Sequence, residues 1–322
     1  MKKLFFGYHF PMQTYWDTYN KGGITQLSLD FSSRCNYGCD WCFNKHLLNR
    51  PEPDVLTLDE RVELIRQAAR LNAKTLVVPG TGEPTLDPYF METLRAAHSA
   101  GLITVVYSNL TGNVDQKKLR AMKDLGVSIG VKLDSFSEEY FIRRYHTTAN
   151  KFREYMMNLE SVVDVYANSW VQIGEDRAYR LVANMVLTKE NAGELEKISG
   201  FCKKRDLPLF VRPVKPVLWA SKSPELWRKI GNQSGGSGPE AGLVALAGKY
   251  NDLFSPSSTL ENHCAIYSFG LTVKSNGDVQ LCPDHHGSRG VWNIRKDSLK
   301  DVIVAMNQRR TIKPGFCVML PK

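Results

Sequence analysis

Cys35, Cys39 and Cys42 stand in Arg34-Cys35-Asn36-Tyr37-Gly38-Cys39-Asp40-Trp41-Cys42, a C-x3-C-x2-C run. Three thiolates on one short loop suit three irons of a [4Fe–4S] cluster, whose usual protein ligand is cysteine sulfur. The fourth iron would then be open to a ligand other than cysteine. Zinc is the competing reading. Cys39 and Cys42 form a common zinc pair, and Cys35 or His46 could help to complete a tetrahedron. A second set of thiols follows far along the chain. Cys264, twelve residues, Gly277, four residues and Cys282 give C-x12-G-x4-C, and Cys317 comes five residues before the end. A zinc site or unrelated thiols are the plainer reading of that set. Cys202 falls on a predicted outer helix and reads as a small buried apolar residue.

The first run follows the apolar, strand-like stretch Ile24–Phe31, and Trp41 directly precedes its third cysteine. Together these residues resemble the signature of the radical S-adenosylmethionine (radical SAM) superfamily. The resemblance implies that the open iron binds the amino and carboxylate groups of SAM, and that reduction cleaves SAM to a 5′-deoxyadenosyl radical. Gly80-Thr81-Gly82-Glu83-Pro84 then corresponds to the family's GGEP segment, which contacts the amino group of SAM; Thr81 departs from it by replacing a glycine. The resemblance also places Ser108 and Asn109 near SAM. Trp41 would pack near the adenine. Lys132 would face SAM's carboxylate, with Asp134 orienting it or meeting a hydroxyl. Asn184 would meet a ribose hydroxyl, and Arg212 substrate or SAM. Plainer alternatives stand beside these: an ordinary βα loop at 80–84, a mutual Lys132–Asp134 ion pair, simple burial of Trp41, and a neighbouring strand as the partner of Asn184.

The second set, with its hairpin, resembles the opening of the SPASM/twitch extension of the same superfamily, which binds an auxiliary iron–sulfur cluster. Three cysteines, Cys264, Cys282 and Cys317, imply the shorter twitch form with one auxiliary [4Fe–4S] cluster. Its remaining iron would bind substrate or a side chain such as His263, Asp284, His285 or His286.

Positioning these residues requires a framework. Residues 24–213 alternate strand and helix patterns. Strands are expected at Ile24–Phe31, Thr75–Pro79, Ile103–Tyr107, Val127–Leu133, Leu181–Leu187 and Leu209–Arg212. Helices are expected at Leu58–Leu71, Pro88–Ala100, Asp115–Leu125, Lys151–Tyr166 and Ala192–Arg205. Such alternation implies a parallel sheet with helices outside it. Six units fit an α/β partial (β/α)6 barrel, the fold the resemblance also implies, with ligands at the carboxyl ends of the strands. Residues 1–23 read as an N-terminal extension. Residues 214–262 read as a linker holding a mobile Gly/Ser loop at 231–239. Residues 263–322 read as a small auxiliary-cluster domain: a hairpin around Asn276-Gly277 and a final helix at Leu299–Gln308.

Composition bounds the rest. The chain has 322 residues, 43% of them apolar, and a formal net charge of +9. No apolar run approaches the roughly 20 residues of a membrane span. The start shows no signal peptide, so a cytoplasmic protein is expected, with its seven cysteines used for metal or redox chemistry. The basic balance suits an acidic electron donor such as flavodoxin or ferredoxin, or an anionic substrate. The basic residues are scattered, which argues against nucleic acid. The expected activity is a radical SAM oxidoreductase acting on a small molecule such as a sugar or cyclitol alcohol. Alternatives are an epimerase, a rearrangement enzyme, a peptide-modifying maturase or, in another class, a zinc-stabilised nucleic-acid-binding protein.

Overall fold

A computed structural model describes residues 1–42, 44–51, 54–112, 114–214, 239–253, 264–282, 292–310 and 312. Cys317, His263, Asp284, His285, His286 and the Gly/Ser loop lie outside these residues.

The elements run β1 (Lys3–Phe5), α1 (Met12–Asn20), β2 (Gln26–Leu29), α2 (Leu58–Arg70), β3 (Thr75–Val78), α3 (Phe90–Ser99), β4 (Ile103–Ser108), α4 (Gln116–Asp124), β5 (Ser128–Lys132), α5 (Glu138–Tyr145) and α6 (Ala149–Val165). They continue with β6 (Trp170–Ile173), β7 (Asp176–Tyr179), β8 (Leu181–Leu187), α7 (Leu195–Lys204), β9 (Leu209–Pro213), α8 (Pro239–Tyr250), α9 (Ala265–Phe269), β10 (Gly270–Val273), β11 (Asp278–Gln280), β12 (Trp292–Asn293) and α10 (Leu299–Arg309). The main sheet has the order β12-β11-β10-β2-β3-β4-β5-β8-β9. From β10 to β9 every neighbouring pair is parallel. The six expected strands are all present and adjacent.

Two differences from the sequence reading concern the ends of the chain. The C-terminal hairpin continues the core sheet: β10 pairs with β2, Gly270 opposite Gln26 and Val273 opposite Leu29. The N-terminal segment forms a second sheet, β1-β7-β6, and then crosses the inner face of the main one.

Period-two alternation explains how both faces are covered. Leu27, Leu29, Leu76, Val78, Val106, Ile129, Leu271 and Val273 pack with Leu64, Ile65 and Ala68 of α2 and the other helices. The alternate residues Val77, Val105 and Val182 pack instead with Phe5, Tyr179 and Leu253. Gly7 lies on this inner face, where Thr75 donates to its carbonyl. A Cβ at Gly7 would stand 2.6 Å from Val105 Cγ2, and its φ is +106°, so only glycine fits without strain. In the region read as linker, α8 buries Leu243 and Ala247 in the main core.

Candidate functional site

The carboxyl end of β2 leads through Asp30 and Phe31 into the cysteine loop, and backbone bonds dock the 80–84 segment against it. Gly82 N–H donates to Ser32 O (3.1 Å) and Glu83 N–H to Arg34 O (2.8 Å). A Cβ at Gly82 would lie 2.1 Å from Arg34 O, so a side chain would force the two loops apart. Thr81, the departure from the family pattern, has a partner of its own. Its hydroxyl donates to Asp30 Oδ2 at 2.5 Å, and the same oxygen accepts from Lys274 Nζ of the hairpin at 2.8 Å.

Glu83 is buried, and burial raises its pKa against the pull of its donors. Its Oε1 accepts from Thr85 N–H, Thr85 Oγ1 and Ser108 Oγ, and its Oε2 from Asn109 N–H. It therefore ties the 80–84 segment to the end of β4. Asn109 reaches the cysteine loop through Asn36, Nδ2 to Oδ1 at 3.1 Å.

The other side of the loop rests on the end of α5. Gly38 N–H donates to Tyr145 O and Asp40 N–H to Arg144 O. Tyr37 stacks on Tyr145 at 5.3 Å, and Trp41 meets the same ring edge-on at 5.6 Å. Asp40 accepts from Arg144 Nη1 (2.9 Å) and His146 Nε2 (2.6 Å). Although burial works the other way, these partners hold its carboxyl below the usual range. Asn49 brackets Cys35, accepting from its N–H and donating to its carbonyl. The sequence reading gave a site role to none of Asn36, Asn49, Tyr145, Arg144 or His146. Asp40 alone carried a signal, as an acidic residue between two of the cysteines.

Lys132 and Asp134 do form the ion pair that the plainer reading allowed, Nζ to Oδ2 at 2.6 Å. Asp134 is buried and also accepts from Tyr145 OH and Val186 N–H, each at 2.7 Å. The Lys132 ammonium stands 5.2 Å from both the Trp41 and Tyr145 ring centres, a cation–π arrangement. Burial disfavours its charge, yet Asp134 and the nearby Cys39 raise its pKa on balance. Asn184 and Arg212 meet further along the inner face, Nη2 to Oδ1 at 3.3 Å.

The three thiols can be tested against an iron–sulfur cluster. Burial pushes Cys35 up to about 12 and raises Cys39 and Cys42, with the neighbouring thiols adding to the rise at Cys35 and Cys39. Among the described residues no three His, Cys, Asp or Glu side chains converge as a single metal ion requires. Three cysteines on one short loop fit a cluster, where each iron takes its own cysteine. The Lys132 charge favours the thiolate form of all three, against the effect of burial. In the hairpin, Cys264 Sγ accepts from Tyr267 N–H at the start of α9, and Cys282 is buried just beyond β11. Because β11 runs antiparallel to β10, Cys282 and Cys264 both belong to the amino end of the sheet. Cys35, Cys39 and Cys42 belong to its carboxyl end. A cleft of about 390 Å³ near Thr85, Met91 and Arg95 holds none of the expected site residues.

The family profile of the radical SAM superfamily matches residues 29–199. A GTP 3′,8-cyclase of Paracoccus denitrificans is 30% identical over 201 residues, 60% of this chain and 53% of that protein. An S-adenosylmethionine-dependent nucleotide dehydratase of Flammeovirga pacifica is 26% identical over 202 residues, 61% of each. The chain thus spans about half to three fifths of the length of these relatives. Among solved structures, SuiB of Streptococcus suis bound to S-adenosylmethionine superposes with TM-score 0.64 at 16% identity, over 87% of this chain and 65% of that one. The anSMEcpe structure with bound AdoMet gives 0.61 at 14% identity, over 88% and 82%. These two likenesses are likenesses of fold.

Proposed function

Because the chain belongs to the radical SAM superfamily, whose profile covers more than half of it, we propose that it is a radical SAM enzyme that oxidises a small polar substrate. When bound, a [4Fe–4S] cluster and SAM supply a 5′-deoxyadenosyl radical able to remove hydrogen from an unactivated C–H bond. Cys35, Cys39 and Cys42 would hold the cluster. Gly80–Pro84, Ser108, Asn109, Trp41 and Asn184 would line the SAM site, although Glu83 and Ser108 act through the loops they join. Lys132, fixed by Asp134, would balance the negative charge gathered on the cysteine loop. Arg212, which donates to Asn184, would face the substrate on the inner face of the sheet, where the N-terminal segment covers the base and limits water.

One observation carries the oxidative reading: a second pair of cysteines, Cys264 and Cys282, at the opposite end of the same strands. Turning an alcohol into a carbonyl removes a hydrogen atom, a proton and one further electron. Cys264 and Cys282, with Cys317, would hold the centre that accepts that electron. An acidic flavodoxin or ferredoxin suits the charge of +9 as the external donor. A second reading, nucleotide chemistry without net oxidation, draws on the nucleotide substrates in the names of the curated relatives.

The test is product analysis with deuterated substrate under strong reductant. Oxidation predicts deuterium in 5′-deoxyadenosine and a product two hydrogens lighter. A C264A/C282A variant should still cleave SAM but yield no oxidised product. A product of unchanged hydrogen count would refute oxidation and favour the second reading.

A further inference from the structure

On the inner face of the sheet, four polar side chains each carry a buried atom without a hydrogen-bond partner. They are Gln26 and Ser28 of β2, Thr272 of β10 and Gln280 of β11, whose Nε2, Oγ, Oγ1 and Oε1 atoms make no hydrogen bond. Ser28 and Thr272 are 0% exposed and Gln26 is 3% exposed. The ladder aligns three of them in one row. Ser28 stands opposite Thr272, and Thr272 opposite Gln280. Their sequence neighbours Leu27, Leu29, Leu271, Val273 and Val279 all pack into the helix-side core, so these four point the other way.

The row's level in the sheet matters as much as its chemistry. Two residues further along the parallel strands stand Asp30 and Lys274, joined to each other and to Thr81 beside the first cysteine loop. Two residues beyond Gln280 in the other direction stands Cys282. The row therefore lies between the two groups of cysteines. Leaving a buried polar atom unsatisfied is costly, and native interiors hold few such atoms. Several in register on neighbouring strands call for a common occupant.

We propose that Ser28, Thr272 and Gln280, with Gln26, form a recognition wall for the hydroxyl-rich ring of the substrate, a sugar or cyclitol. This rests on the oxidative reading above and narrows its substrate class. Two hydroxyls, an amide N–H donor and an amide carbonyl acceptor offer both hydrogen-bond senses and no charge. A polyol ring matches that set, because each of its hydroxyls both donates and accepts. An ionised group would be buried there without a counter-charge among these four residues.

The test uses the reconstituted holoenzyme and the substitutions S28A, T272V and Q280L, singly and combined, with myo-inositol as the polyol probe. Thermal midpoints and probe affinity by calorimetry are measured together. Groups held in readiness for a ligand predict midpoints equal to or above wild type, since apolar replacement relieves unpaired atoms. They also predict at least tenfold weaker myo-inositol binding in the combined variant. A fall in midpoint of more than about 5 °C in S28A or T272V would show that the groups anchor structural water and would overturn the proposal. Unchanged probe affinity in the combined variant, or no binding to wild type, would also overturn it. The hydrogen count of the wild-type product, assayed separately, decides the parent reading, so the two failures remain distinguishable.

Discussion

Asp134 sits where three parts of the site meet: the Lys132 ammonium, the Tyr145 hydroxyl and the β8 backbone at Val186. Replacing Lys132 by methionine would leave this buried carboxylate without its counter-ion. The expected loss is about 3 kcal/mol of stability, read from a denaturant melt, together with a raised KM for SAM. Arg61 presents a similar case beneath the loop. It is 1% exposed, forks onto both oxygens of Asp87, and donates to the carbonyl of Phe31 just before the cysteines. R61A should cost about 3–5 kcal/mol, the loss typical of breaking a buried pair, and a denaturant melt checks it. The sequence revealed the ligand types and spacings at this scale because a loop's cysteines are local. It did not reveal that Arg61 is internal, since a helical arginine looks the same whether solvated or buried. Nor did it mark Tyr145 or His146, whose contacts with the loop come from more than a hundred residues away.

The strands and helices that carry the site were legible from period alone. Leu181–Leu187 matches the expectation residue for residue, and the N-cap at Thr57 is a full capping box with Glu60. What period could not show is pairing between distant segments. Nothing local tells β10 that its partner is β2, and the eight-residue α5 is too short for its pattern to stand out. The 80–84 segment yields a direct prediction at this scale. G82A puts a Cβ into the Arg34 carbonyl and should cost about 1–3 kcal/mol as overpacking does. Iron retained per chain should fall with it. The hairpin region is also tied to α2 by Glu60 and Arg295. Arg295 first, and then Thr57 N–H, hold Glu60 down to about 2 against an ordinary 4.5. A carboxyl lowered on folding contributes stability above its unfolded pKa and loses it as pH falls through its folded one. Wild type and E60Q should therefore differ in thermal midpoint above about pH 5 and converge near pH 2. Added salt should shrink the difference, because the pair is partly exposed.

At the level of the whole molecule, the two ends of the chain complete what the central strand–helix units begin. The N-terminal segment covers Val77, Val105 and Val182, and the hairpin extends the sheet past β2. Among the described residues no helix is long and apolar enough to cross a membrane. Reading residues 1–23 as an extension missed their place because Phe5 and Gly7 meet partners some seventy to a hundred and eighty residues away. Removing residues 1–10 should expose that apolar face, and a rise in binding of a hydrophobic dye would report it. The most direct measurement is anaerobic reconstitution with iron and sulfide, followed by strong reductant and SAM. The predicted result is iron bound through Cys35, Cys39 and Cys42 and steady formation of 5′-deoxyadenosine, both abolished by C35A, C39A or C42A. Wild type that takes up no iron, or that leaves SAM intact once loaded and reduced, would contradict it.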